Sequence, residues 1–349
     1  MNDQMRQTLI VSKVNMLGGL DKAATDYKVA ALTKKGDQAL YDFVKSSADI
    51  EFTCKSTVLS PKKFFFPQDE VILEYTSDGK VSPKIESNPL VLFGIRPCDL
   101  NAMKILDEAF ADGHGDPNYL EKRNKAVIIG VDCKNICDED AFCYKVGAHE
   151  IEGGCDAMLY DLGERYAVAV ITAKGEEFFK KYISSESADE SAADIENYKK
   201  EKEAVFADKK LFKDLDKFPE IFENNKDHKV WEEEGKKCLS CGSCIMVCPT
   251  CYCFDVVDEL ALSLKKGERI RRWDACMLGS FAEVAGGENF REAAKNRLHH
   301  RIDRKFNYLM KKHGKSVCVG CGRCVRACLA KISPEKIAQA IVGEEQGDN

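Results

Sequence analysis

The chain has 349 residues, 44% hydrophobic and 32% charged, enough to bury a core and of a length that calls for about two domains. Its 52 Lys and Arg against 58 Asp and Glu leave a net charge of −6, which argues against nucleic acid or an anionic membrane as the partner of the whole chain. The 17 cysteines fall in tight groups, the distribution of metal ligands and not of a disulfide framework.

No run approaches the ~18 consecutive apolar residues that spanning a bilayer requires. The opening MNDQMRQTLIVSKVNMLGGL reads as neither a span nor a signal peptide, and no twin-arginine leader is present. The expected location is the cytoplasm, where thiols stay reduced and available as ligands.

Residues 1–175 read as an α/β domain. Phe64-Phe-Phe-Pro followed by Val71-Ile-Leu-Glu-Tyr is expected to give a strand pair. Pro89-Leu-Val-Leu-Phe-Gly-Ile and Lys125-Ala-Val-Ile-Ile-Gly-Val are continuous apolar runs of strand length, as in strands buried on both faces. After the first run, Leu100, Met103, Leu106 and Phe110 recur at helical spacing, with Asp99 suited to capping the helix. Ala157 to Thr172 reads as a hairpin. Residues 176–236 hold 18 Asp and Glu and 12 Lys and form a solvated, mostly helical connector. The cysteine-rich remainder, 237–349, is the second domain, ending in a short helical tail.

That domain repeats one motif. Cys238-x2-Cys241-x2-Cys244-x3-Cys248-Pro and Cys318-x2-Cys321-x2-Cys324-x3-Cys328 have the spacing in which three thiolates wrap one [4Fe–4S] cube and the fourth reaches a second cube. Crossed ligation assigns Cys238, Cys241, Cys244 and Cys328 to one cluster, and Cys318, Cys321, Cys324 and Cys248 to the other. Structural zinc also takes four thiolates, but the x2-x2-x3 run is that of ferredoxins. Leu329 stands where Pro often follows the last cysteine, a change that removes no ligand. The roughly 70 residues between the motifs must be structured. Val256 to Lys265 and Glu292 to Lys312 carry apolar residues at helical spacing, so the expected fold is an α-helical ferredoxin.

Nine cysteines remain. Cys98 and Cys133 fall just beyond the two buried strands, at what becomes one sheet edge if the strands are parallel neighbours. With Cys137 and Cys143 they form a candidate third cluster, Cys155 being the substitute. Free buried thiols are the competing reading of this set. Cys251, Cys253 and Cys276 offer a rival site, and Cys54 stands alone. Residues 269–331 hold 15 Lys and Arg against 5 Asp and Glu. These cations either balance anionic clusters or steer an acidic partner, while His299 and His300 read as exposed helix residues. Aromatic residues are not interleaved with the basic ones, which disfavours nucleic acid. No dinucleotide fingerprint, P-loop or metalloprotease motif occurs.

Phe64-Phe-Phe-Pro-Gln-Asp-Glu, Phe93-Gly-Ile-Arg-Pro-Cys-Asp-Leu-Asn-Ala, Cys241-Gly-Ser-Cys-Ile-Met-Val-Cys-Pro-Thr-Cys-Tyr-Cys-Phe, Arg272-Trp-Asp-Ala-Cys, Ala285-Gly-Gly-Glu-Asn and Cys318-Val-Gly-Cys-Gly-Arg-Cys together resemble the iron–sulfur subunits typified by the sulfhydrogenase beta subunit and its counterpart in anaerobic sulfite reductase. The early strand segment looks closer to the sulfhydrogenase branch. The resemblance implies a cytoplasmic electron-transfer subunit that relays electrons between a flavin- and NAD(P)-binding diaphorase-like subunit and a catalytic or further redox subunit, with ferredoxin a further candidate partner. The family shows Cys-Phe-Cys where this chain has Ala141-Phe142-Cys143, and Cys137 is the candidate replacement ligand.

The expected architecture is therefore an α/β N-terminal domain followed by an α-helical ferredoxin-like domain with two [4Fe–4S] clusters and a third Fe–S cluster in the N-terminal part. The expected role is electron transfer within an oxidoreductase complex, without catalysis by this chain alone. The rivals are the iron–sulfur subunit of an anaerobic sulfite reductase, a stand-alone reductase using the Cys98 edge, and a zinc-stabilised scaffold.

Overall fold

A computed structural model describes residues 6–52, 56–151, 153–185, 191–207 and 212–345; Cys54 lies outside them. The strands are β1 (Gln7–Ser12), β2 (Lys28–Lys35), β3 (Gln38–Phe43), β4 (Asp69–Thr76), β5 (Val81–Pro83), β6 (Leu90–Ile95), β7 (Ala126–Val131), β8 (Ala157–Asp161), β9 (Arg165–Val170), β10 (Phe254–Leu260) and β11 (Lys266–Trp273). The helices are α1 (Lys13–Ala23), α2 (Pro97–Ala111), α3 (Pro117–Lys125), α4 (Ala173–Tyr182), α5 (Ser191–Phe206), α6 (Phe218–Asn224), α7 (Val230–Lys237), α8 (Ser243–Met246), α9 (Ala294–Phe306), α10 (Tyr308–His313), α11 (Arg323–Arg326) and α12 (Pro334–Glu345).

These elements form two units that interleave along the sequence. One comprises 1–65, 85–139 and 148–209, the other 66–84, 140–147 and 210–349. The division differs from the blocks 1–175, 176–236 and 237–349 because long-range pairing, not chain order, defines it. The acidic connector is helical as expected, but α4 and α5 belong to the first unit and α6 and α7 to the second.

In the first unit a seven-stranded sheet has the order β1-β9-β8-β7-β6-β2-β3. The apolar runs read from the sequence are its centre: β6 is buried at every position and pairs in parallel with β7, Val91 opposite Val127. One face packs Val91, Phe93, Val127 and Ile129 against Met16 and Leu20 of α1 and Phe178 and Phe179 of α4. The buried apolar stripe of α2, Leu100, Met103 and Leu106, is the helical pattern seen in the sequence. Pro97 occupies the first turn of α2 and Arg96 its N-cap, so Asp99 is not the cap; it lies inside the first turn, buried. β8 and β9 form the expected hairpin. Asp132, just past β7, pairs with Lys202 of α5 at 2.9 Å, both side chains buried. A buried pair of this kind ties the two elements together because neither charge is tolerated alone.

The second unit joins helices to a four-stranded antiparallel sheet, β10-β11-β4-β5. Two expectations change here. Val256 to Lys265 is strand and turn, not helix, and Phe64 closes a 3₁₀ turn, with β4 pairing with β5 and β11 instead of with the Phe64 segment. The ladder is cross-linked by charge: Arg269 pairs with Asp258 at 2.9 Å, and Arg272 reaches both Asp69 and Glu259 at 2.6 Å. Phe66 stacks on Trp273 with ring centroids 5.7 Å apart, and the Trp273 indole N–H donates to the Phe66 carbonyl at 3.1 Å. The helical core gathers Phe218, Phe222, Trp231, Leu298, Ile302, Phe306 and Ile341. His299 and His300 are not exposed. Both rings are partly buried, His299 against Trp231 at 4.5 Å, and burial depresses both pKa values, His300 to about 4.

Candidate metal centre

The two cysteine motifs fold alike. In each, the third and fifth positions turn left-handed: Ser240 (φ 54°) and Gly242 (φ 75°), then Gly320 (φ 59°) and Gly322 (φ 74°). Each loop then enters a single helical turn, α8 or α11. The left-handed turns aim backbone N–H groups at sulfur. The Ser240 amide donates to Cys238 Sγ at 3.4 Å, and the Gly320 amide donates to the Cys318 sulfur. Gly320 is required for a second reason. A Cβ there would fall 2.5 Å from the Cys143 nitrogen, because the Phe142 amide donates to the Gly320 carbonyl at 2.7 Å and holds 140–147 against the loop.

The eight cysteines line two cavities. Cys238, Cys241, Cys244 and Cys328 face the first, and Cys248, Cys318, Cys321 and Cys324 the second. Each cavity thus takes three thiols from one motif and the last from the other, the arrangement that the crossed-ligation reading requires. Among the described residues, no three His, Cys, Asp or Glu side chains come close enough to hold a single metal ion. Four thiols on each cavity wall are the donor set that a cube of four irons and four sulfides takes, so the residues present fit the cluster. The first cavity opens beside Leu239 and Leu329, 64% and 84% exposed, and the exposed Cys241. Ser243 Oγ lies 3.3 Å from Cys241 Sγ, and its hydrogen bond lowers the Cys241 pKa.

Helix α9 supplies the compensating charge. Arg297, Arg301 and Lys305, four residues apart, all point inward and are 6%, 4% and 4% exposed, as i, i+4 spacing dictates on a helix. Arg297 donates to the Met277 carbonyl at 3.0 Å and to Ser240 Oγ at 2.8 Å, fixing the first loop. Arg301 lines both cavities. Lys305 lines the second alone and donates to Thr250 Oγ1 at 2.6 Å. Burial lifts the Cys244 and Cys324 thiols above the usual range, and Arg301 opposes it at both. Burial works against the charge on Arg301, and the surrounding thiols of Cys244, Cys324, Cys248 and Cys251 more than offset it. Much of the basic excess in 269–331 is therefore internal. The sequence reading missed these three cations as a set; their i, i+4, i+8 spacing between the cysteine motifs was the available signal.

The cysteines between the two motifs also find thiol partners. Cys251 is hydrogen-bonded to Cys248, and Cys253 to Cys276, which holds the Cys253 thiol down to about 6. In the first unit, Cys98 lies in the first turn of α2 and Cys133 two residues beyond β7, at one edge of the sheet since β6 and β7 are parallel neighbours. Cys137 follows in the next loop, and buried Cys155 precedes β8. Cys143 opens a 3₁₀ turn in the second unit. The same sheet edge holds a cavity of about 250 Å³ lined by Phe93, Arg96, Asp132, Lys134, Asp161 and Tyr166 among others, below the ~300–1,000 Å³ of ordinary small-molecule sites.

A family model of 4Fe-4S dicluster domains matches residues 237–332. Sulfhydrogenase 2 subunit beta of Pyrococcus furiosus is 34% identical over 312 residues, covering 86% of this chain and 88% of its own. Among the described residues no helix is long and apolar enough to cross a membrane.

Proposed function

Because the chain belongs to the sulfhydrogenase beta-subunit family, we propose that it is the electron relay of a cytoplasmic oxidoreductase complex, wiring a flavin- and NAD(P)-binding diaphorase-like subunit to a catalytic or further redox subunit. It is an iron–sulfur electron-transfer subunit with a 4Fe-4S dicluster domain. In this reading Cys238, Cys241, Cys244 and Cys328 hold one [4Fe–4S] cluster, and Cys248, Cys318, Cys321 and Cys324 the other. The observation that carries it is the sorting of eight thiols into two cavities, each drawing on both motifs.

The clusters supply reversible one-electron transfer. The chain does the rest. Left-handed loops present amide donors to the sulfurs, Met277, Leu298 and Ile332 form the apolar inner wall of the first cavity, and Arg297 locks the first loop to α9. Low solvent access and hydrogen bonds to sulfur are the levers that set a cluster potential.

The set Cys98, Cys133, Cys137 and Cys143 is proposed for a third cluster, supported by the shared sheet edge at Cys98 and Cys133. Iron and acid-labile sulfide on anaerobically purified chain test all of this. About eight irons accord with two cubes and about twelve with three, while stoichiometric zinc without iron overturns the relay. Co-purification from the native cell identifies the partner subunits, and a flavin retained by the isolated chain would favour the stand-alone reductase.

A further inference from the structure

The column of cations on α9 is asymmetric with respect to the two cavities, and this has an electrical consequence that rests on the cluster assignment just proposed. Arg301 is 4% exposed, lines both cavities, and its Nε–H has no hydrogen-bond partner among the described residues. Leaving a buried charged donor unmatched is costly, so the group calls for an acceptor in the space it faces. The Arg301 guanidinium is already hydrogen-bonded to the Cys324 sulfur, so cavity sulfur is the acceptor chemistry within its reach. Lys305, one helical turn on, lines only the cavity of Cys248, Cys318, Cys321 and Cys324, where Thr250 orients it at 2.6 Å. Arg297 spends its donors on the Met277, Arg291 and Glu292 carbonyls and on Ser240 Oγ, and it lines neither cavity.

We propose that Arg301 is the shared counter-cation of the two clusters and Lys305 the private counter-cation of the second, so that the Cys248/Cys318/Cys321/Cys324 cluster has the higher reduction potential and electrons settle there from the Cys238/Cys241/Cys244/Cys328 cluster. Reduction adds one negative charge to a cluster, and a nearby buried cation stabilises the reduced form because the low-dielectric interior screens it poorly. Two cations at one cavity against one at the other therefore tilt the equilibrium in a fixed direction. Arg301, which both cavities share, also links the two reductions: the first electron taken up consumes part of the stabilisation open to the second.

The test is an anaerobic redox titration followed by EPR, on chain whose iron content is first counted. Arg301→Gln lowers both midpoints, each by at least a tenfold shift in the reduced-to-oxidised ratio at fixed potential, which is about 59 mV for a one-electron couple. Lys305→Gln lowers one midpoint alone, and it is the higher of the wild-type pair. Arg301→Lys, which keeps the charge, leaves both within tenfold of wild type and carries the test if Arg301→Gln does not assemble. With about eight irons retained, an Arg301→Gln chain with unmoved midpoints, or a Lys305→Gln chain whose lower midpoint moves, overturns the inference and leaves the cluster reading intact. Wild-type chain without iron overturns the reading itself.

Discussion

Replacing Gly320 by alanine probes the clamp between residues 140–147 and the second cysteine loop. The new Cβ would lie 2.5 Å from the Cys143 nitrogen and 2.6 Å from the Phe142 carbonyl carbon, both backbone atoms that cannot rotate aside. The residue also holds φ at 59°, a conformation that costs an L side chain roughly 1–2 kcal/mol. Overpacking adds about 1–3 kcal/mol, and loss of the 2.7 Å Phe142 hydrogen bond about 0.5–1.5 kcal/mol, for a total of about 2.5–6.5 kcal/mol. The first motif contains the control. Ser240 occupies the equivalent place at φ 54° with a side chain already present, so backbone conformation alone does not demand glycine. Ser240→Gly relieves that strain but gives up the hydroxyl that accepts from Arg297 at 2.8 Å, and the two changes nearly cancel. A chain with tightly bound clusters does not unfold in two states, so the readout is kinetic: the rate at which visible iron–sulfur absorbance is lost anaerobically at fixed temperature with a chelator present. Gly320→Ala is expected to bleach at least about tenfold faster than wild type, ~1.4 kcal/mol of the total reaching the barrier, while Ser240→Gly stays near wild type. If the two variants bleach at the same rate, the steric argument is wrong.

Three further outcomes follow from the same structure. Lys202→Met leaves Asp132 buried without its cation and should cost about 3–5 kcal/mol locally, read as lost hydrogen-exchange protection of the β7 and α5 amides; an Asp132→Asn partner change in the same chain should recover part of it. His300, held near 4 by burial, with Arg291 and Arg304 adding to the effect, binds fewer protons folded than unfolded. Its contribution is thus complete above about pH 6.5 and is lost as pH falls toward 4, and His300→Gln should flatten the melting temperature across that window. Cys241→Ser should lose about four of eight irons and destabilise the fold, since cluster binding is folding free energy; Cys98→Ser should lose a further cluster's worth only if the N-terminal set is loaded, and an unchanged iron count assigns those thiols a structural role.

Much of this was legible in the sequence because it depends on local pattern. The runs at 90–95 and 126–131 are uniformly apolar because both faces of β6 and β7 are covered, and the doubled cysteine spacing leads directly to the sorted cavities. The segment 256–265 misled because β10 is exposed along nearly its whole length. With neither face buried, nothing imposes the period-2 alternation that marks a strand, and Val256, Val257 and Leu260 fall at helical spacing by chance. Its strand state comes from the Asp258–Arg269 rung and its neighbours, a tertiary property invisible locally. The same holds for Phe66, whose partner Trp273 is far away in sequence, and for the division into units. Arg297, Arg301 and Lys305 differ: their period was visible, but a local excess of positive charge does not reveal which face of a helix is buried.

The pairing of β4 with β11 sets Thr76 opposite Lys266, so a strand made early waits for one made about 190 residues later. At roughly 5–20 residues per second of synthesis, the wait on the ribosome is about 10–40 s. During it β4 is an uncovered edge, the kind of segment that pairs with the wrong neighbour. Its sequence, DEVILEYT, carries Asp69 and Glu70, charges that repel a second copy of the same nascent strand and are later matched by Arg272 and Arg271. The acidic residues of β4 thus guard the newborn chain before they brace the finished one.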